Sequence, residues 1–369
     1  MKIGLIGAGR LGLCLALLIE DTGYDVLASD IRPDYVKDLN EKKYNGSEPD
    51  VKYYLEKANN IEFTTDNIRV INECDIIFTL VATPSLDDGS YDVSAVWKVV
   101  EDFKIAAKEK EVFNKSLVVG CTTNPGDCDE IQDHLSVDPD TFGVNVFYNP
   151  EFIAQGTIIK DLQNADTVLI CGDKFITEHD HVTVLKKIYK HIQSDNCSVH
   201  YMSTKAGEIV KIGINTFLTT KISYANTIGQ VLALSELDDE IDSVLEAIGN
   251  DSRIGKKYLK FGFGFGGPCF PRDNRAFASY AKKVGVEFNI GQTTDDFNNE
   301  HSKFLFSYFT KKNKNNLPFV FPSVAYKKGT DIIQESQQYR LCLDLLDAGH
   351  KVHVLDDSLK DVCDDRILY

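Results

Sequence analysis

Short apolar runs and helix-like segments alternate through the first half of the chain. Apolar runs of about four to eight residues between turn-forming residues are typical of buried strands, and apolar residues three and four apart are typical of helices. The runs predict strands over 2–6, 24–30, 61–64, 75–81, 116–121, 143–148 and 165–172. The segments between them predict helices after Gly12 and over 33–40 and 94–110. This alternation predicts an α/β fold, a mostly parallel sheet with helices on both faces.

The second half of the chain is mainly helical in pattern. Residues 203–235 contain few helix breakers, which predicts one helix of roughly 30 residues and about 45 Å. Helices of that length commonly bridge domains or subunits. Further helices are predicted over 236–249, 275–284, 300–310 and 337–348, and strands over 319–321 and 351–356.

The length of 369 residues indicates two or three domains, since a single core stops growing at about 250–300 residues. We predict boundaries that give domains over 1–200, 201–300 and 301–369. The polar stretch 311–316 lies close to the second boundary. The last strand–helix–strand unit is small for an independent domain, so we expect a short C-terminal domain.

Three glycines, Gly7, Gly9 and Gly12, form a Gly-x-Gly-x-x-Gly pattern between a predicted strand and a predicted helix. In that context Gly7 would make the turn, Gly9 would admit a pyrophosphate and Gly12 would allow close helix packing. Asp30 ends the next predicted strand, roughly 20 residues on, where a carboxylate can bind the adenosine ribose. The sequence therefore predicts a dinucleotide site that prefers NAD to NADP, although the nearby Arg32 opposes that preference.

A single cysteine, Cys269, lies on the glycine-rich stretch 262–268, shortly before Arg272 and Asp273. Glycines let a backbone approach a ligand closely, and a neighbouring cation favours the nucleophilic thiolate. Two interpretations are open at this point. Cys269 is either a nucleophile or a small hydrophobic residue in a buried turn.

Composition narrows the classes of partner and compartment. Hydrophobic residues make up 43% of the chain and the net charge is −16, which argues against nucleic acid or an anionic membrane as partner. No apolar run approaches the roughly 18 residues of a membrane span, and the first residues are predicted to form a core strand rather than a secretory signal. We therefore expect a cytoplasmic protein.

Nine cysteines are scattered without a Cys-x-x-Cys spacing. Neither a disulfide framework nor a metal site is predicted. Cys14, Cys74, Cys121 and Cys171 lie in or beside apolar runs and are expected in the core.

An anionic substrate would need a local basic patch in so acidic a chain. Arg253, Lys256, Lys257 and Lys260 form one candidate, and a solvated helix face is the alternative.

Together these motifs resemble the nucleotide-sugar 6-dehydrogenases of the UDP-glucose/GDP-mannose dehydrogenase family. The resemblance extends over nearly the whole chain and the motifs occur in the family's order. The matching segments are the glycine pattern, Thr83-Pro84, Asp88-Gly89-Ser90, Thr123-Asn124-Pro125, Asn149-Pro150-Glu151-Phe152, Lys211 with Asn215, Arg253-Ile254-Gly255, Gly266-Gly267-Pro268-Cys269-Phe270 and 325–331.

The resemblance implies an architecture and a reaction. Residues 1–200 would bind NAD in a Rossmann-like domain, 201–300 would carry a homodimer interface, and 301–369 would form a Rossmann-like domain for the uridine diphosphate. The reaction implied is oxidation of UDP-glucose at C6 to UDP-glucuronate, a polysaccharide precursor, with two NAD reduced per sugar.

The resemblance also implies roles for six catalytic residues. Cys269 would capture the aldehyde as a thiohemiacetal and later carry a thioester. Lys211 and Asn215, one helical turn apart, would stabilise negative charge on the C6 oxygen. Asp273 and Thr123 would orient water or transfer protons, and Glu151 would assist hydrolysis as a base.

Further positions match residues that bind cofactor or substrate in the family. Those expected to bind NAD are Gly7, Gly9, Arg10, Leu11, Gly12, Asp30, Thr83, Pro84, Thr123 and Arg272. Those expected to bind the UDP-sugar are Glu151, Phe152, Ile153, Gln155, Lys211, Asn215, Arg253, Tyr258, Lys260, Gly266 and Lys327.

Two substitutions depart from the family pattern. Gln155 stands where a second glutamate is frequent, and glutamine cannot act as a base. Gln334 stands where an arginine is frequent, which weakens diphosphate or ribose contacts or indicates another nucleotide sugar.

Three alternatives to UDP-glucose oxidation remain. The first is the same chemistry on GDP-mannose or a UDP-N-acetylhexosamine. The second is a 3-hydroxyacid or 6-phosphogluconate type of dehydrogenase, against which Cys269 argues because those enzymes need no nucleophilic thiol. The third is an inactive NAD- or UDP-sugar-binding sensor, against which the intact set of catalytic residues argues.

Overall fold

The computed structural model describes residues 1–109, 112–153, 156–173, 176–193 and 197–369. They form two compact units. The first unit comprises Met1–Leu86 and Tyr91–Lys211, and the second comprises Asp87–Ser90 and Ile212–Tyr369. The three-domain division at residues 200 and 300 stays a prediction.

An eight-stranded sheet organises the first unit. Its strands are β1 Lys2–Ile6, β2 Asp25–Ser29, β3 Ile61–Thr64, β4 Ile76–Thr79, β5 Ser116–Val119, β6 Asn145–Tyr148, β7 Thr167–Cys171 and β8 Ser198–Met202. Their order is β3-β2-β1-β4-β5-β6-β7-β8, and every neighbouring pair is parallel except β6 with β7. The order reverses between β1 and β4, where sheets of this class bind ligands at the carboxyl ends of the strands.

In the described parts of this unit, eight helices accompany the sheet. They are α1 Arg10–Asp21, α2 Pro33–Asn40, α3 Val51–Lys57, α4 Asn67–Glu73, α5 Ser94–Glu109, α6 Asp127–Val137, α7 Ile158–Gln163 and α8 Asp180–Ile192. The core divides between the two faces of the sheet, since Ile76 and Phe78 of β4 belong to one apolar cluster and Ile77 to the other. The predicted α/β class is therefore confirmed.

The second unit is mainly helical. Helix α9, Thr204–Leu234, begins in the first unit and continues into the second as 31 residues, close to the predicted 203–235. It is followed by α10 Ile241–Gly249, α11 Phe270–Lys283, α12 Ile290–Lys312, β9 Phe319–Phe321, α13 Gln337–Asp347 and β10 Val352–Val354. Strands β9 and β10 pair in parallel.

Helices α11 and α12 both begin before their predicted first residues. Pro271 lies in the first turn of α11, where its missing N–H and fixed φ favour helix initiation. The side chain of Asn289 caps α12 by accepting from Gln292 N at 3.0 Å. No helix in the described part of the chain is both long enough and apolar enough to cross a bilayer.

Candidate functional site

The glycine pattern forms a cradle between β1 and α1. Gly7 has φ +98°, and its N–H donates to Ser29 O at 2.9 Å. A Cβ built on Gly12 would lie 2.1 Å from Gly7 O, whereas one built on Gly9 would meet open space. Gly9 precedes α1, whose first turn receives no side-chain cap. This open, uncapped helix N-terminus fits a dinucleotide phosphate.

Arg10 and Leu11 form the first turn of α1, beside that cradle. Arg10 is exposed, while Leu11 is half-buried against the core. Their positions are compatible with the predicted contact to NAD.

Asp30 lies just after β2, at the carboxyl edge of the sheet. Its side chain is only 8% exposed and accepts from Arg32 Nε at 2.8 Å and Nη2 at 3.0 Å. The Arg32 guanidinium also lies 4.0 Å from the centre of the Tyr35 ring. Arg32 thus compensates the negative charge of this largely buried acid.

Three more predicted positions follow strands of the same sheet. Thr83 and Pro84 come after β4, Thr123 after β5 and Glu151 after β6. Thr83, Thr123 and Glu151 are buried, and Pro84 is exposed. Because β1, β4, β5 and β6 are parallel, these positions share one edge of the sheet with Gly7.

Thr123 is held by a buried acid that sequence analysis missed. Its Oγ1 donates to Glu208 Oε1 at 2.8 Å, and the same carboxyl group accepts from Gly126 N at 2.6 Å and Cys128 N at 3.1 Å. Burial raises the pKa of Glu208, while these donors favour its carboxylate. Glu208 therefore fixes the Thr123 loop and the start of α6.

Glu151 and Lys211 lie close together. Lys211 Nζ donates to the backbone oxygen of Glu151 at 2.6 Å and lies 4.9 Å from the centre of the Phe152 ring. The Glu151 side chain lies 2.7 Å from Tyr189 Oη. Burial raises the pKa of Glu151 to about 7 although Lys211 opposes that shift. A carboxyl group with a pKa near neutrality suits acid–base catalysis.

The segment after Glu151 is anchored by another acid that the motifs did not reveal. Glu48 is buried and accepts from Gly156 N at 3.0 Å and Ile158 N at 2.7 Å. Phe152 and Ile153 are half-buried. Gln155 lies outside the described residues, so its predicted role stays a prediction.

Cys269 is distinguished by its exposure. Of the nine cysteines, all within the described part of the chain, it alone is exposed. Cys14, Cys74, Cys121 and Cys171 are buried, as predicted, and burial raises the pKa of each thiol. The exposed position rules out the alternative of a buried turn.

The glycine-rich stretch before Cys269 is held by hydrogen bonds to α12 and by close packing against the backbone of Glu335. Asn298 of α12 accepts from Phe265 N at 3.0 Å and donates to Phe265 O at 2.9 Å. His301, also on α12, contacts Gly262 O at 2.7 Å. A Cβ on Gly266 would lie 2.3 Å from Glu335 O. Gly266 is therefore required, because its backbone packs directly on the backbone oxygen of Glu335.

Cys269 occupies the N-cap position of α11. Its carbonyl accepts from Asp273 N at 2.9 Å, and Asp273 Oδ2 accepts from Asn215 Nδ2 at 2.6 Å. Asn215 and Asp273 are both buried, and Arg272 is half-buried between Cys269 and Asp273 in sequence. The structure thus joins three of the predicted catalytic residues, and a helix N-terminus favours negative charge such as a thiolate.

The predicted substrate-binding residues of the second unit differ in exposure. Arg253 is exposed and donates to both oxygens of Asp251, at 3.0 and 2.7 Å. Tyr258 has φ +62°, and its ring centre lies 6.4 Å from that of Phe270. Lys260 is exposed, while Gly266 and Lys327 are half-buried.

The candidate basic patch is partly neutralised. Arg253 pairs with Asp251, and Lys256 Nζ lies 3.1 Å from Glu246 Oε1. Both ion pairs are on the surface, where such pairs contribute little to stability. Arg253 can therefore exchange Asp251 for an anionic ligand with little loss of folding free energy.

Two family models match the sequence. The NAD binding domain of the UDP-glucose/GDP-mannose dehydrogenase family matches residues 1–193, and the central domain of that family matches residues 205–300. The chain belongs to the UDP-glucose/GDP-mannose dehydrogenase family. Its reaction class is accordingly that of the NAD-dependent nucleotide-sugar dehydrogenases, and its cofactor is NAD.

Full-length relatives agree with this assignment. The putative UDP-glucose 6-dehydrogenase YtcA of Bacillus subtilis (strain 168) is 30% identical over 366 residues, covering 96% of this chain and 81% of the relative. UDP-glucose 6-dehydrogenase AglM of Haloferax volcanii is 30% identical, covering 95% of this chain and 82% of the relative. Membership of this family decides against the 3-hydroxyacid and 6-phosphogluconate alternatives.

Solved structures show the same fold. A UDP-glucose dehydrogenase from Pyrobaculum islandicum superposes with a TM-score of 0.88 at 26% identity, covering 100% of this chain and 85% of that chain. The UDP-D-ManNAc dehydrogenase from Pyrococcus horikoshii gives a TM-score of 0.79 at 20% identity, covering 98% and 86%. At that lower identity the likeness supports the fold alone.

Proposed function

We propose that this protein oxidises UDP-glucose at C6 to UDP-glucuronate in two NAD-dependent steps. The observation that carries the proposal is the exposed Cys269 at the start of α11, next to the buried pair of Asn215 and Asp273. An alcohol dehydrogenase that stopped at the aldehyde would need no such thiol. A four-electron oxidation benefits from one, because the thiol retains the aldehyde.

The first oxidation converts the primary alcohol at C6 to an aldehyde. Lys211, with Asn215 one turn further along α9, would stabilise the negative charge that develops on the C6 oxygen. The cradle around Gly9 would hold NAD, which, when bound, accepts one hydride in each of the two oxidations. Arg10 and Asp30 would position its phosphate and ribose groups.

The second oxidation and the hydrolysis proceed on Cys269. Its sulfur adds to the aldehyde carbon to give a thiohemiacetal, and loss of a second hydride and a proton gives a thioester. Water then attacks the carbonyl carbon, Glu151 takes a proton from that water, and the C–S bond breaks. Cys269 leaves as a thiolate, and the carboxylic acid formed releases the second proton of the water to solvent and leaves as a carboxylate. Thr123 and Asp273 would orient the water.

The names of similar proteins support UDP-glucose as the substrate. Relatives about 30% identical over most of the chain carry the name UDP-glucose 6-dehydrogenase. The backbone oxygen of Gln334 accepts from Gly267 N at 3.0 Å, so this residue supports the Cys269 loop through its main chain. Oxidation of another nucleotide sugar is the second candidate, favoured by the missing arginine.

The decisive experiment is the number of NADH formed per UDP-glucose consumed, for the wild type and for Cys269→Ser. Cys363→Ser is the matched control, because Cys363 is a half-buried thiol outside the proposed chemistry. We expect two NADH per sugar from the wild type and the control, and no UDP-glucuronate from Cys269→Ser.

Other outcomes identify other functions. Two NADH with a different nucleotide sugar and none with UDP-glucose would keep the chemistry and change the substrate. One NADH per sugar, with Cys269→Ser unaffected, would refute the role of the thiol. Binding of NAD without turnover of any nucleotide sugar would indicate a sensor.

A further inference from the structure

Glu151, Tyr189 and Asn149 are three buried polar side chains that form a chain of contacts. Tyr189 of α8 is 1% exposed, Asn149 is 2% exposed and Glu151 is 8% exposed. Tyr189 Oη lies 2.5 Å from Asn149 Oδ1 and 2.7 Å from Glu151 Oε1. Both contacts are short enough that each needs a proton between its two oxygens.

The orientation of Asn149 decides where those protons are. Asn149 Nδ2 donates to Leu169 O at 2.6 Å, and reversing the amide would place two carbonyl oxygens against each other. Asn149 Oδ1 therefore faces Tyr189, and an amide oxygen can only accept. Tyr189 has a single proton, so the contact with Asn149 uses it. The contact between Tyr189 and Glu151 then requires a proton on Glu151.

We propose that Tyr189 is a positioning residue that accepts a hydrogen bond from protonated Glu151 and thereby holds this carboxyl group neutral between turnovers. We call this chain of hydrogen bonds the relay. Asn149 sets its direction, with Glu151 donating to Tyr189 and Tyr189 donating to Asn149. This inference rests on the proposed function, in which Glu151 receives the proton of the attacking water.

The surroundings of Glu151 agree with a neutral resting form. Burial is the largest influence and raises the pKa of Glu151 to about 7. A hydrogen bond donated by Tyr189 to the carboxylate would lower that pKa, and so does the charge of Lys211. The Tyr189 proton is used by Asn149, however, and the ammonium group of Lys211 donates to the backbone oxygen of Glu151 rather than to the carboxyl group. Burial likewise raises the pKa of Tyr189 well above its usual value, with Glu151 and Cys197 adding to the shift. Tyr189 therefore stays protonated and can serve Asn149 as donor.

The relay has a consequence for the hydrolysis. A neutral Glu151 must release its proton to solvent before it can accept one from water. When water attacks the thioester, the C–O bond forms, Glu151 gains the proton and the C–S bond breaks with departure of the Cys269 thiolate. The step ends with Glu151 protonated again, which is the form that Tyr189 binds.

Tyr189→Phe tests the direction of this hydrogen bond. If Tyr189 accepts from Glu151, phenylalanine removes an acceptor from the neutral form, so the pKa of Glu151 falls. If Tyr189 donates to the Glu151 carboxylate, the same substitution removes a donor and the pKa rises. The two arrangements predict shifts of opposite sign.

The readout is the pH dependence of UDP-glucuronate release in a single turnover, after both NADH have formed. For the wild type we expect the rate to rise with pH through a midpoint near 7. A fall of one unit in Tyr189→Phe would make release about fivefold faster at pH 6. Tyr148→Phe is the matched control, since Tyr148 is fully buried and its hydroxyl has no hydrogen-bond partner among the described residues.

A midpoint that rises or stays fixed in Tyr189→Phe would overturn the relay. Absence of a covalent sugar adduct on Cys269, or of the second NADH in the wild type, would instead refute the proposed function. If Tyr189→Phe fails to fold, infrared difference spectra of the wild type against Glu151→Gln provide the test. A protonated carboxyl C=O band that disappears with a midpoint near 7 supports the relay, and a carboxylate band already present at pH 5 contradicts it.

Discussion

At the scale of single residues, the candidate site depends on buried acids whose charge is controlled in different ways. Glu208 accepts from two backbone N–H groups and the Thr123 hydroxyl, so its carboxylate is satisfied without a cation. Asp273 accepts from Asn215. The carboxyl group of Glu151 lies against the hydroxyl of Tyr189, and burial raises its pKa. Burial thus gives Glu151 a pKa of about 7, which suits proton transfer.

The raised pKa of Glu151 predicts a specific pH dependence of stability. A carboxyl group whose pKa is higher in the folded state stabilises the fold below its unfolded pKa, and that contribution is lost as pH rises through the folded pKa of about 7. A difference of this size corresponds to on the order of 3 kcal/mol.

Glu151→Gln imitates the neutral form, because its amide can also donate to Tyr189. We therefore expect the wild type to lose unfolding free energy relative to Glu151→Gln between about pH 5 and pH 7. Urea unfolding of both proteins across this range measures the difference. A difference that does not change with pH would show that Glu151 titrates near its unfolded pKa.

At the scale of elements, the loop that carries Cys269 is stabilised by the polar face of α12. That helix buries Thr294, Asn298, His301 and Ser302, and its Asn298 makes both hydrogen bonds to Phe265. Aromatic stacking continues along it from Phe297 to His301 and Phe304. Helix α12 thus serves as the rigid support for the loop.

Gly264→Ala should disrupt this support. A Cβ on Gly264 would lie 2.0 Å from Asn298 Oδ1, so the side chain of Asn298 must move away and leave buried polar groups without partners. We expect a loss of about 1–3 kcal/mol in unfolding free energy, measured by urea denaturation. The rate of Cys269 alkylation should change as well, because the loop positions the thiol.

Gly262→Ala is the matched control in the same loop, since a Cβ there meets nothing within 4 Å. It should cost well under 1 kcal/mol and leave the alkylation rate unchanged. Equal destabilisation by both substitutions would mean that general loop flexibility, rather than the contact with Asn298, determines the effect.

The same elements show what sequence could predict and what it could not. The glycine cradle and the Cys269 loop were found because their residues are neighbours in sequence. The start of α12 was missed because its buried face is polar, so no apolar period marks residues 290–299. Strand β8 was missed because its residues are exposed or half-buried. Glu48, Tyr189 and Glu208 act on loops far away in sequence, and no local pattern connects them to those loops.

At the scale of the whole molecule, α9 presents apolar residues that the chain itself leaves exposed. Phe217, Tyr224 and Val231 are 65%, 46% and 56% exposed. They recur every seven residues and therefore follow one face of the helix. An exposed apolar stripe of this kind is typical of a subunit interface. We propose that it is buried in a homodimer through a second copy of α9.

The dimer can be tested with Phe217→Asp, which places a charge at the most exposed residue of the apolar stripe. We expect the variant to sediment as a monomer of about 41 kDa at concentrations where the wild type is dimeric. Val137→Asp is the control, since Val137 at the end of α6 is 80% exposed and lies outside the stripe.

The net charge of −16 makes two copies repel each other, so added salt should strengthen the wild-type dimer. A wild type that sediments as a monomer at high salt would refute the interface, whereas a dimer retained by Phe217→Asp would place the contact on another surface.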